Sequence, residues 1–327
     1  MFQKVGEILI PGDNPPSFVY LGYSAGSAIV AATTSDRQLY ICDHSTFQVI
    51  SSFQAHNADI SGVYLAENSN IIATCCEDGQ GTIGNEVSLW DSKSSQLICT
   101  FGASSYVHYV ETCHCVGMNK SGKILAAGTN SGVLTWDVRK PEGIFRHVNI
   151  QPEEVSSIEF HPFASSTFLS GDDDGNLLLY DLDGPNQEDS ILFYSNDNNP
   201  VFQCGFCGVD TVFTLRRTAG IRLWNIFDNT KDVFYDDLRN DTDNSFSYPI
   251  DAHWCGEYVM TVGGDSEGGV ALVLCSQSEV KLFGKLEKAH NECVNASYLH
   301  IFDDGSMHLL LAGDAGQMTF WRKSESE

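Results

Sequence analysis

The sequence predicts an all-β fold built from seven similar units, and three recurring patterns carry that prediction. A pentad with a strand-like composition recurs at intervals of 44 to 49 residues. An apolar-x-x-small-x-apolar pattern precedes each pentad, and between the two lies a short apolar run that ends in a Gly or Asp turn. Self-similarity at such a period is typical of a repeat architecture. Each unit therefore reads as several short strands joined by tight turns.

The pentads are the third strand of each unit. They read LYICD, VSLWD, VLTWD, LLLYD, IRLWN, VALVL and MTFWR, and they end at Asp43, Asp91, Asp137, Asp181, Asn225, Leu274 and Arg322. Their aliphatic, β-branched and aromatic residues favour extended structure. The pattern before them predicts a first strand that starts at Phe18, Ile60, Val110, Val155, Val201, Ile250 and Val294.

This organisation resembles the WD-repeat β-propeller family over nearly the whole chain. The Gly-His position of such repeats is represented by Ala55-His56 and Ala289-His290, and true Trp-Asp pairs occur at Trp90-Asp91 and Trp136-Asp137. The resemblance implies a single domain over residues 1–327, folded as a seven-bladed propeller with four strands in each blade. Neighbouring blades would then cover each other's faces, and closure of the ring would protect the sheet edges.

The resemblance also implies structural residues. Blades of this family often contain hydrogen-bonded His, Ser or Thr, Asp and Trp side chains. In this chain the second repeat has the nearly complete set, which is His56, Thr74, Asp78 and Trp90. Partial sets predict structural roles for Asp174, Trp136, Trp224, His290 and Trp321. Ala315 occupies the Asp position beside His290, so that set is incomplete.

Closure of a ring requires the two ends of the chain to meet. Few residues follow the last pentad, and they are too polar to form an outer strand. The segment at about 4–10 is strand-like and precedes the first repeat. We therefore expect it to supply the outermost strand of the seventh blade.

A G-x-G-x-x-G pattern at Gly79, Gly81 and Gly84 raises the question of nucleotide binding. A dinucleotide loop requires a helix directly after the glycines, because the helix N-terminus holds the pyrophosphate. The strand-like segment 87–91 follows instead of a helix, so these glycines lack the structural context that a dinucleotide-binding loop requires. We interpret residues 79–86 as a lengthened loop of the second blade. Such a loop can contact a partner, and an enzyme using it is a third hypothesis.

Composition limits the classes of partner. Eighteen Lys and Arg stand against 43 Asp and Glu, a formal net charge of −25. Direct nucleic-acid binding and attachment to an anionic membrane both need clustered cations, which the sequence lacks. Long-range attraction favours a basic protein partner. With no apolar run that would serve as a secretory signal or a membrane helix, we expect an intracellular protein, cytoplasmic or nuclear, and a monomer by itself.

The eleven cysteines do not form a convincing metal or redox motif. Cys204-x-x-Cys207 resembles a redox pair, but Cys113 and Cys204 occupy the small position of the first-strand pattern, where cysteine serves as an apolar filler. No second ligand pair with zinc spacing and no hydrolase, P-loop or metalloprotease motif occurs. We therefore expect no metal, no cofactor and no catalytic residues.

Acidic residues concentrate where the fold would gather them on one face. In propellers of this family, the turns between the second and third strands share a face with the connections between blades. The resemblance therefore predicts a partner-binding set on that face, namely Glu153, Glu154, Asp172, Asp173, Asp236, Asp237 and Asp265. Such a set would attract a cationic segment of a partner. The alternative is an acidic surface that only keeps the protein soluble.

A short motif supports a different interpretation. Residues 136–139 read W-D-V-R, and Arg139 matches the arginine with which WD-repeat substrate receptors dock on the adaptor of cullin-4 ubiquitin ligases. The chain is accordingly predicted to be a non-catalytic interaction scaffold, with a ligase receptor that uses Arg139 as the alternative.

Overall fold

The computed structural model describes residues 2–24, 26–67, 69–77, 86–102, 112–140, 144–148, 153–184, 186, 189–302 and 304–323, with the backbone alone for 144–148. Nearly all regular structure is strand, in seven antiparallel sheets of four strands. A short helix, α1 (Leu238–Asp241), lies between the fifth and sixth sheets. None of the helices in the described part of the chain is long and apolar enough to cross a membrane.

The sheets form in chain order, and we call their strands a, b, c and d from the inside outwards. Blade one contains β2 (Phe18–Ser24), β3 (Ile29–Thr34), β4 (Gln38–Asp43) and β5 (Gln48–Gln54). Blade two contains β6 (Asp59–Leu65), β7 (Ile71–Glu77), β8 (Glu86–Asp91) and β9 (Gln96–Gly102). Blade three contains β10 (Cys113–Met118), β11 (Ile124–Thr129), β12 (Gly132–Asp137) and β13 (Ile144–Val148). Blade four contains β14 (Val155–Phe160), β15 (Thr167–Asp172), β16 (Asn176–Asp181) and β17 (Ile191–Asn196).

The remaining blades follow the same plan. Blade five contains β18 (Val201–Phe206), β19 (Thr211–Arg216), β20 (Ile221–Asn225) and β21 (Val233–Tyr235). Blade six contains β22 (Tyr248–Cys255), β23 (Tyr258–Gly264), β24 (Val270–Cys275) and β25 (Val280–Leu286). Blade seven contains β26 (Val294–Ile301), β27 (Met307–Gly313), β28 (Gln317–Lys323) and, as its outer strand, β1 (Gln3–Leu9).

The two ends of the chain close the ring inside blade seven. Strand β1 pairs antiparallel with β28, from Gln3 opposite Arg322 to Leu9 opposite Gln317. The predicted closure by a strand at about 4–10 is therefore confirmed, with bounds one residue earlier. The inner strands contact each other in the order β2, β6, β10, β14, β18, β22, β26 and back to β2. The fold is a seven-bladed β-propeller, as predicted.

The core lies between blades. Seven clusters of buried apolar side chains occur among the described residues, and each spans the seam between two neighbouring blades. In the seam between blades one and seven, Phe18 of β2 lies in the same cluster as Phe320 of β28. Burying a large apolar side chain contributes about 1.5–3 kcal/mol. A single blade cannot gain this stabilisation alone, because its faces become buried only against a neighbour.

A β-bulge near the start of each inner strand adds polar links between blades. At three seams the bulged residue donates to a backbone carbonyl of the next blade. Ser61 Oγ donates to Cys113 O at 2.5 Å, and Ser156 Oγ donates to Val201 O at 2.5 Å. Asn295 Nδ2 donates to Phe18 O at 2.9 Å across the closing seam. These side-chain bonds tie the bulged residue of one blade to the inner strand of the next.

These bulges correct two sequence alignments. The pattern starting at Val110 assigns Cys113 to the small position, but Cys113 opens β10 opposite Thr129, as Val155 opens β14 opposite Asp172. Val110 itself lies outside the described residues. In blade six the residue that pairs just before the bulge is Pro249, the second residue of β22, because Ile250 is the bulged residue. Several apolar residues at similar spacing fit two registers, and the sequence alone does not show which of them forms the bulge.

The acidic residues that end four of the c strands have a local role. The Asp43 carboxylate accepts the backbone N–H groups of Ser45 and Thr46, at 2.7 and 2.9 Å. The Asp91 carboxylate accepts from Lys93 N and Ser94 N in the same way. A carboxylate that bonds the backbone two or three residues later stabilises a tight turn. The Asp of each Trp-Asp pair therefore specifies the turn from strand c to strand d.

The strand directions define two faces of the ring. The connection face carries the turns from b to c and the links between blades. The hairpin face carries the turns from a to b and from c to d. Each inner strand runs from the connection face to the hairpin face, so its last residues lie near the hairpin face.

Candidate functional site

The predicted polar set of blade two is built around a threonine. His56 Nε2 lies 2.7 Å from Thr74 Oγ1, and Trp90 Nε1 donates to the same oxygen at 2.9 Å. His56 and Thr74 are buried, and a hydrogen bond is stronger in the low-dielectric interior than in water. Glu86 Oε1 lies 3.6 Å from His56 Nδ1. Asp78, predicted as the fourth member, lies outside the described residues, as do residues 79–85 of the lengthened loop.

Blade seven has a related arrangement with a different threonine. His290 Nε2 lies 2.9 Å from Thr319 Oγ1, and Trp321 Nε1 donates to that oxygen at 2.9 Å. Thr319 is on strand c, two residues before the tryptophan, whereas Thr74 is on strand b of its blade. Burial lowers the pKa of His290 to about 4, so this histidine is neutral near pH 7.

Blade five contains a polar set that the sequence reading missed. Trp224 Nε1 donates to Thr214 Oγ1 at 3.0 Å, and Thr214 Oγ1 donates to Asp197 Oδ2 at 3.0 Å. Arg216 Nε donates to the same carboxylate at 3.0 Å, and Nη2 bonds it as well. Both Asp197 and Arg216 are buried. An available signal was that Asp197 stands four residues before Val201, as His56 stands four before Ile60.

Two other predicted structural residues behave differently. Trp136 is fully buried, and its Nε1 has no hydrogen-bond partner within the described residues. Asp174 is exposed, whereas the neighbouring Asp172 is buried. The Asp172 carboxylate accepts from Asn176 N and Asn176 Nδ2, both at 2.8 Å. Asp172, and not Asp174, therefore stabilises this turn.

This placement corrects the predicted partner-binding set. Asp172 is not a surface charge, because its carboxylate is used inside its own turn. Asp265 has the same role, since it accepts from Glu267 N and Gly269 N at 2.8 Å. Asp237 caps α1 and holds Arg239 Nε at 2.8 Å, an ion pair that lowers the pKa of Asp237.

The other members of the set are exposed on the connection face. Glu153 and Asp173 are exposed in neighbouring segments of blade four. Asp236 has 87% of its side chain exposed, with one oxygen 3.5 Å from Arg216 Nη1. Glu154 is exposed and lies 3.3 Å from His114 Nδ1. The structure thus places four of the seven predicted carboxylates at the surface of one face.

Arg139 lies on the opposite, hairpin face, in the turn from c to d of blade three. Its side chain is 69% exposed. Its Nε and Nη2 donate to the two oxygens of Asp137, at 2.8 and 2.6 Å. This pair lowers the pKa of Asp137 to about 2. The guanidinium is therefore accessible but held by its own turn.

The cysteines occupy apolar positions. Burial raises the pKa of Cys204 and of Cys207 to about 12, which disfavours the reactive thiolate. All eleven cysteines are free. No group of three or more His, Cys, Asp or Glu that could hold a metal ion occurs within the part of the chain that the structure describes.

A central channel runs inside the ring, with a cavity of about 480 Å³ lined by residues from all seven inner strands. The strand registers are equivalent, so the residue four positions after the one that precedes each bulge lies in one layer around the channel. This layer consists of Gly22, Tyr64, Gly117, Glu159, Gly205, His253 and Tyr298. Three glycines leave room in the channel, and the other four residues give it a polar wall.

Some of the charged residues that line the channel form ion pairs, and others do not. Glu67 and Lys120 form an ion pair with an N–O distance of 3.0 Å. The His253 Nε2 atom lies 3.0 Å from Ser297 Oγ and 3.8 Å from the Asp251 carboxylate. The side chain of Glu159 is exposed to the channel and forms no hydrogen bond or ion pair with a described residue. Partial desolvation inside the channel, helped by the carboxylates of Asp251 and Glu67, raises the pKa of Glu159 to about 7.

Comparison with known proteins agrees with the fold. The family model for "WD domain, G-beta repeat" matches residues 47–81. The "WD repeat-containing protein 89 homolog" of Dictyostelium discoideum is 23% identical over 315 residues, which are 94% of this chain and 83% of that protein. This match agrees with a resemblance to WD repeat-containing protein 89 in segments such as 153–189 and 318–323.

Two further relatives match a smaller share of their own length. "WD repeat-containing protein GTS1" of Arabidopsis thaliana is 21% identical over 74% of this chain and 62% of its own length. "Histone acetyltransferase type B subunit 2" of Eremothecium gossypii is 28% identical over 42% of this chain and 31% of its own length. Propellers with WD repeats are generally non-catalytic scaffolds that bind other proteins. The chain thus contains a matched WD repeat, folds as a seven-bladed β-propeller and is similar to these WD-repeat proteins.

Proposed function

We propose that this protein is an interaction scaffold whose connection face binds a basic segment of a partner protein. The observation that carries the proposal is the group of exposed carboxylates on that face, formed by Glu153, Glu154, Asp173 and Asp236. Three of them come from blade four and its approach, and Asp236 comes from the end of blade five. A cationic segment lying across these two blades would meet all four.

The physical basis is long-range attraction more than any single ion pair. An exposed ion pair contributes only about 0–1 kcal/mol. Several carboxylates on one face of a chain with a net charge of −25 create a field that steers cations towards it. Because salt screens exposed charges within about 8 Å at physiological ionic strength, binding of this kind must weaken as salt is raised.

The relatives support the general role. Their printed names describe WD-repeat proteins and, in one case, a subunit of a larger enzyme. We infer by analogy that this chain also works within an assembly, without catalytic residues of its own. We also propose an intracellular location, which the eleven free cysteines fit, because reducing compartments keep thiols free.

The test uses matched sets of substitutions on the two faces. Glu153→Gln, Asp173→Asn and Asp236→Asn together remove three charges from the connection face. Asp183→Asn, Glu257→Gln and Glu279→Gln together remove three charges from turns of the hairpin face. Asp172 and Asp265 stay unchanged, because their carboxylates stabilise turns. Each tagged protein is used to capture partners from its own cells at low and at high salt.

The proposal predicts that basic proteins captured at low salt are lost at high salt and lost with the connection-face variant. The hairpin-face variant should retain them. Equal capture by both variants would contradict the proposal and would leave solubility as the role of the acidic surface. Circular dichroism and melting temperature check that both variants are folded.

A ligase receptor that uses Arg139 is the second candidate. The observation that favours it is the exposure of Arg139 on the hairpin face, away from the acidic face. A chain with this geometry can hold an adaptor and a basic substrate at the same time. Arg139→Ala should abolish co-purification of the cullin-4 adaptor, and Lys140→Ala is a matched control in the same turn. Absence of the adaptor from the unmodified protein would reject this candidate.

A further inference from the structure

Blade one and blade seven meet on the hairpin face through a group of aromatic rings that includes three histidines. The His44 ring, in the turn from c to d of blade one, stacks on the His308 ring of β27, with centres 5.0 Å and planes 27° apart. His300 of β26 pairs with His308 in the ladder, and its ring centre lies 5.8 Å from that of Tyr23 in β2. Three of the ten histidines of the chain thus form one histidine cluster, which is His44, His300 and His308.

The surroundings of the stacked pair favour neutral imidazoles. The His44 ring also contacts the rings of Phe47 and Phe320, whose centres lie 6.2 and 5.5 Å away. The buried Nδ1 atom of His308 has no hydrogen-bond partner among the described residues. Burial is the main cause that lowers the pKa of His44 and the pKa of His308, the latter to about 4. Both rings are therefore neutral near pH 7.

A proton added to the stacked pair meets other groups that are positive or can become so. In the sheet of blade seven, His308 stands between His300 of β26 and Arg322 of β28, because it pairs with both. After burial, His44 and these two neighbours also lower the pKa of His308. Like charges opposite each other on neighbouring strands destabilise a sheet. Protonation therefore creates repulsion both within blade seven and across the seam to blade one.

The remaining titratable groups that face the pair do not reverse this balance. Asp43 precedes His44, and its carboxylate accepts two backbone N–H groups of its own turn. Asp304, in the turn from a to b of blade seven, likewise accepts a backbone N–H group at 2.9 Å. Both carboxylates favour charged imidazoles, but less than burial opposes them. Burial raises the pKa of Tyr23 and is the main cause that raises the pKa of Tyr298, so both tyrosines stay neutral.

The histidine cluster lies at the seam where the ring closes. Blade seven is completed by β1, a strand from the other end of the chain, which pairs with β28. The turn that carries His44 also covers β1, since Phe47 packs so closely on Gly6 that any side chain there would collide with its ring. Separation of β1 from β28 is therefore a way to open the ring that leaves the other six blades intact.

We propose that the histidine cluster is an acid-sensitive closure of the ring. The neutral stack of His44 and His308 holds blade one against blade seven. A proton taken up by either ring separates the two blades and releases β1 from β28, while the other blades stay folded. The open ring presents the unpaired edge of β28. This device acts on the hairpin face and does not depend on the acidic connection face.

The size of the effect follows from the proton balance. When the seam opens, His308 regains its ordinary pKa of 6.5, so the open ring binds more protons than the closed ring below that pH. The closure is fully present above pH 6.5 and is lost as the pH falls towards 4. A change from pH 7 to pH 5 should favour the open ring about twentyfold through this residue alone.

The test is hydrogen exchange of the full chain at pH 7 and at pH 5, followed by mass spectrometry and corrected for the intrinsic effect of pH on exchange. Where closing is faster than exchange, the protection of a peptide reports its opening equilibrium. Peptides from β1 and β28 should lose protection at least about twentyfold at pH 5. Peptides from β19 and β20 should keep theirs, because their blade contains no histidine.

Two substitutions of one residue test the assignment. His308→Phe keeps an aromatic ring in the stack, and His308→Gln keeps a polar side chain, but neither takes up a proton. The ratio of protection at the two pH values cancels packing changes within each variant, and in both it should fall by about twentyfold relative to the unmodified protein. The control is His161→Asn, since His161 contacts the Phe206 ring at another seam of the hairpin face. Its response to acid should match that of the unmodified protein.

Four results would overturn the proposal. Equal loss of protection in β1 and in β19 at pH 5 would mean that acid unfolds the whole ring. An unchanged acid response in both His308 variants would assign the response to another group. Loss of β1 protection already at pH 7 in both variants would make packing, and not the proton, the determinant. Complete removal of the response by His290→Gln would place the sensitive group on the connection face.

Discussion

Blade two and blade five have different side chains at the same position in the fold. Blade two has a histidine there, and blade five has a carboxylate that is paired with an arginine. In blade two a neutral threonine connects His56 and Trp90. In blade five Thr214 connects Trp224 to Asp197, and Asp197 forms a buried ion pair with Arg216. The tryptophan and the threonine are retained in both blades. What differs is the residue four positions before the inner strand and the group that satisfies it.

The comparison shows what the two blades share. In each of them, a group on the inter-blade connection reaches back to the threonine on strand b. An imidazole or a carboxylate can both do so, provided that every buried polar atom has a partner. The carboxylate of Asp197 adds a charge, and the fold provides Arg216 on the adjacent strand b to compensate for it. Arg216 in turn lies 4.2 Å from the centre of the Phe234 ring on strand d.

Breaking the ion pair in blade five should have the largest effect. Asp197→Asn leaves the Arg216 guanidinium buried without its counter-charge, and removing one member of a buried pair costs about 3–5 kcal/mol. The free energy of unfolding in urea, followed by tryptophan fluorescence, measures this loss. The double variant with Arg216→Met should recover part of it, because no unpaired charge remains. A loss below about 1 kcal/mol for Asp197→Asn would show that water already compensates the pair.

A pH titration separates the histidine blades from blade five. The pKa of His290 falls from 6.5 to about 4 on folding, mainly through burial. The unfolded chain therefore binds more protons between these values, so stability is full above pH 6.5 and is lost as pH falls towards 4. The total for this group is roughly 3 kcal/mol. The segment 197–235, which contains blade five, has no histidine and cannot contribute in this way.

The measurement compares the slope of unfolding free energy against pH for the unmodified chain and for His290→Gln. Between pH 6 and 4.5 the variant should lose up to about 1.4 kcal/mol less for each pH unit, which corresponds to one proton. His308, whose pKa is also lowered to about 4, continues to contribute in both proteins. Identical slopes would mean that folding does not shift the pKa of His290.

Much of the fold could be predicted because its repeated residues interact mainly with nearby parts of the chain. Asp43 and Asp91 specify their own turns, and the strand pattern at about 4–10 was sufficient to predict the closure by β1. The polar set of blade five was missed because Asp197 and Arg216 do not match a His-based pattern. Their partnership depends on two segments that meet only in three dimensions. A carboxylate at the histidine position does not indicate a buried ion pair until the cationic residue that pairs with it is known.

The candidate site shows the same limit. Sequence placed seven carboxylates on one face, but it could not separate Asp172 and Asp265, which bond their own turns, from Asp173 and Asp236, which face solvent. Adjacent residues in a turn point in opposite directions, and only backbone geometry decides between them. The channel layer around Glu159 was also hidden, because its seven members share a register that the bulges define and have no residue type in common.

The smallest effect should come from removing the shared threonine in the two blades. Thr74→Val leaves His56 and Trp90 without their common partner, and two buried unsatisfied groups cost about 2 kcal/mol or more. Thr214→Val leaves only the Trp224 N–H unpaired, because Arg216 continues to satisfy Asp197, so we expect about 1 kcal/mol. Both substitutions keep the side-chain shape, which removes packing from the comparison. Urea unfolding of the two variants measures the difference, and a larger loss in blade five would mean that the threonine also positions the ion pair.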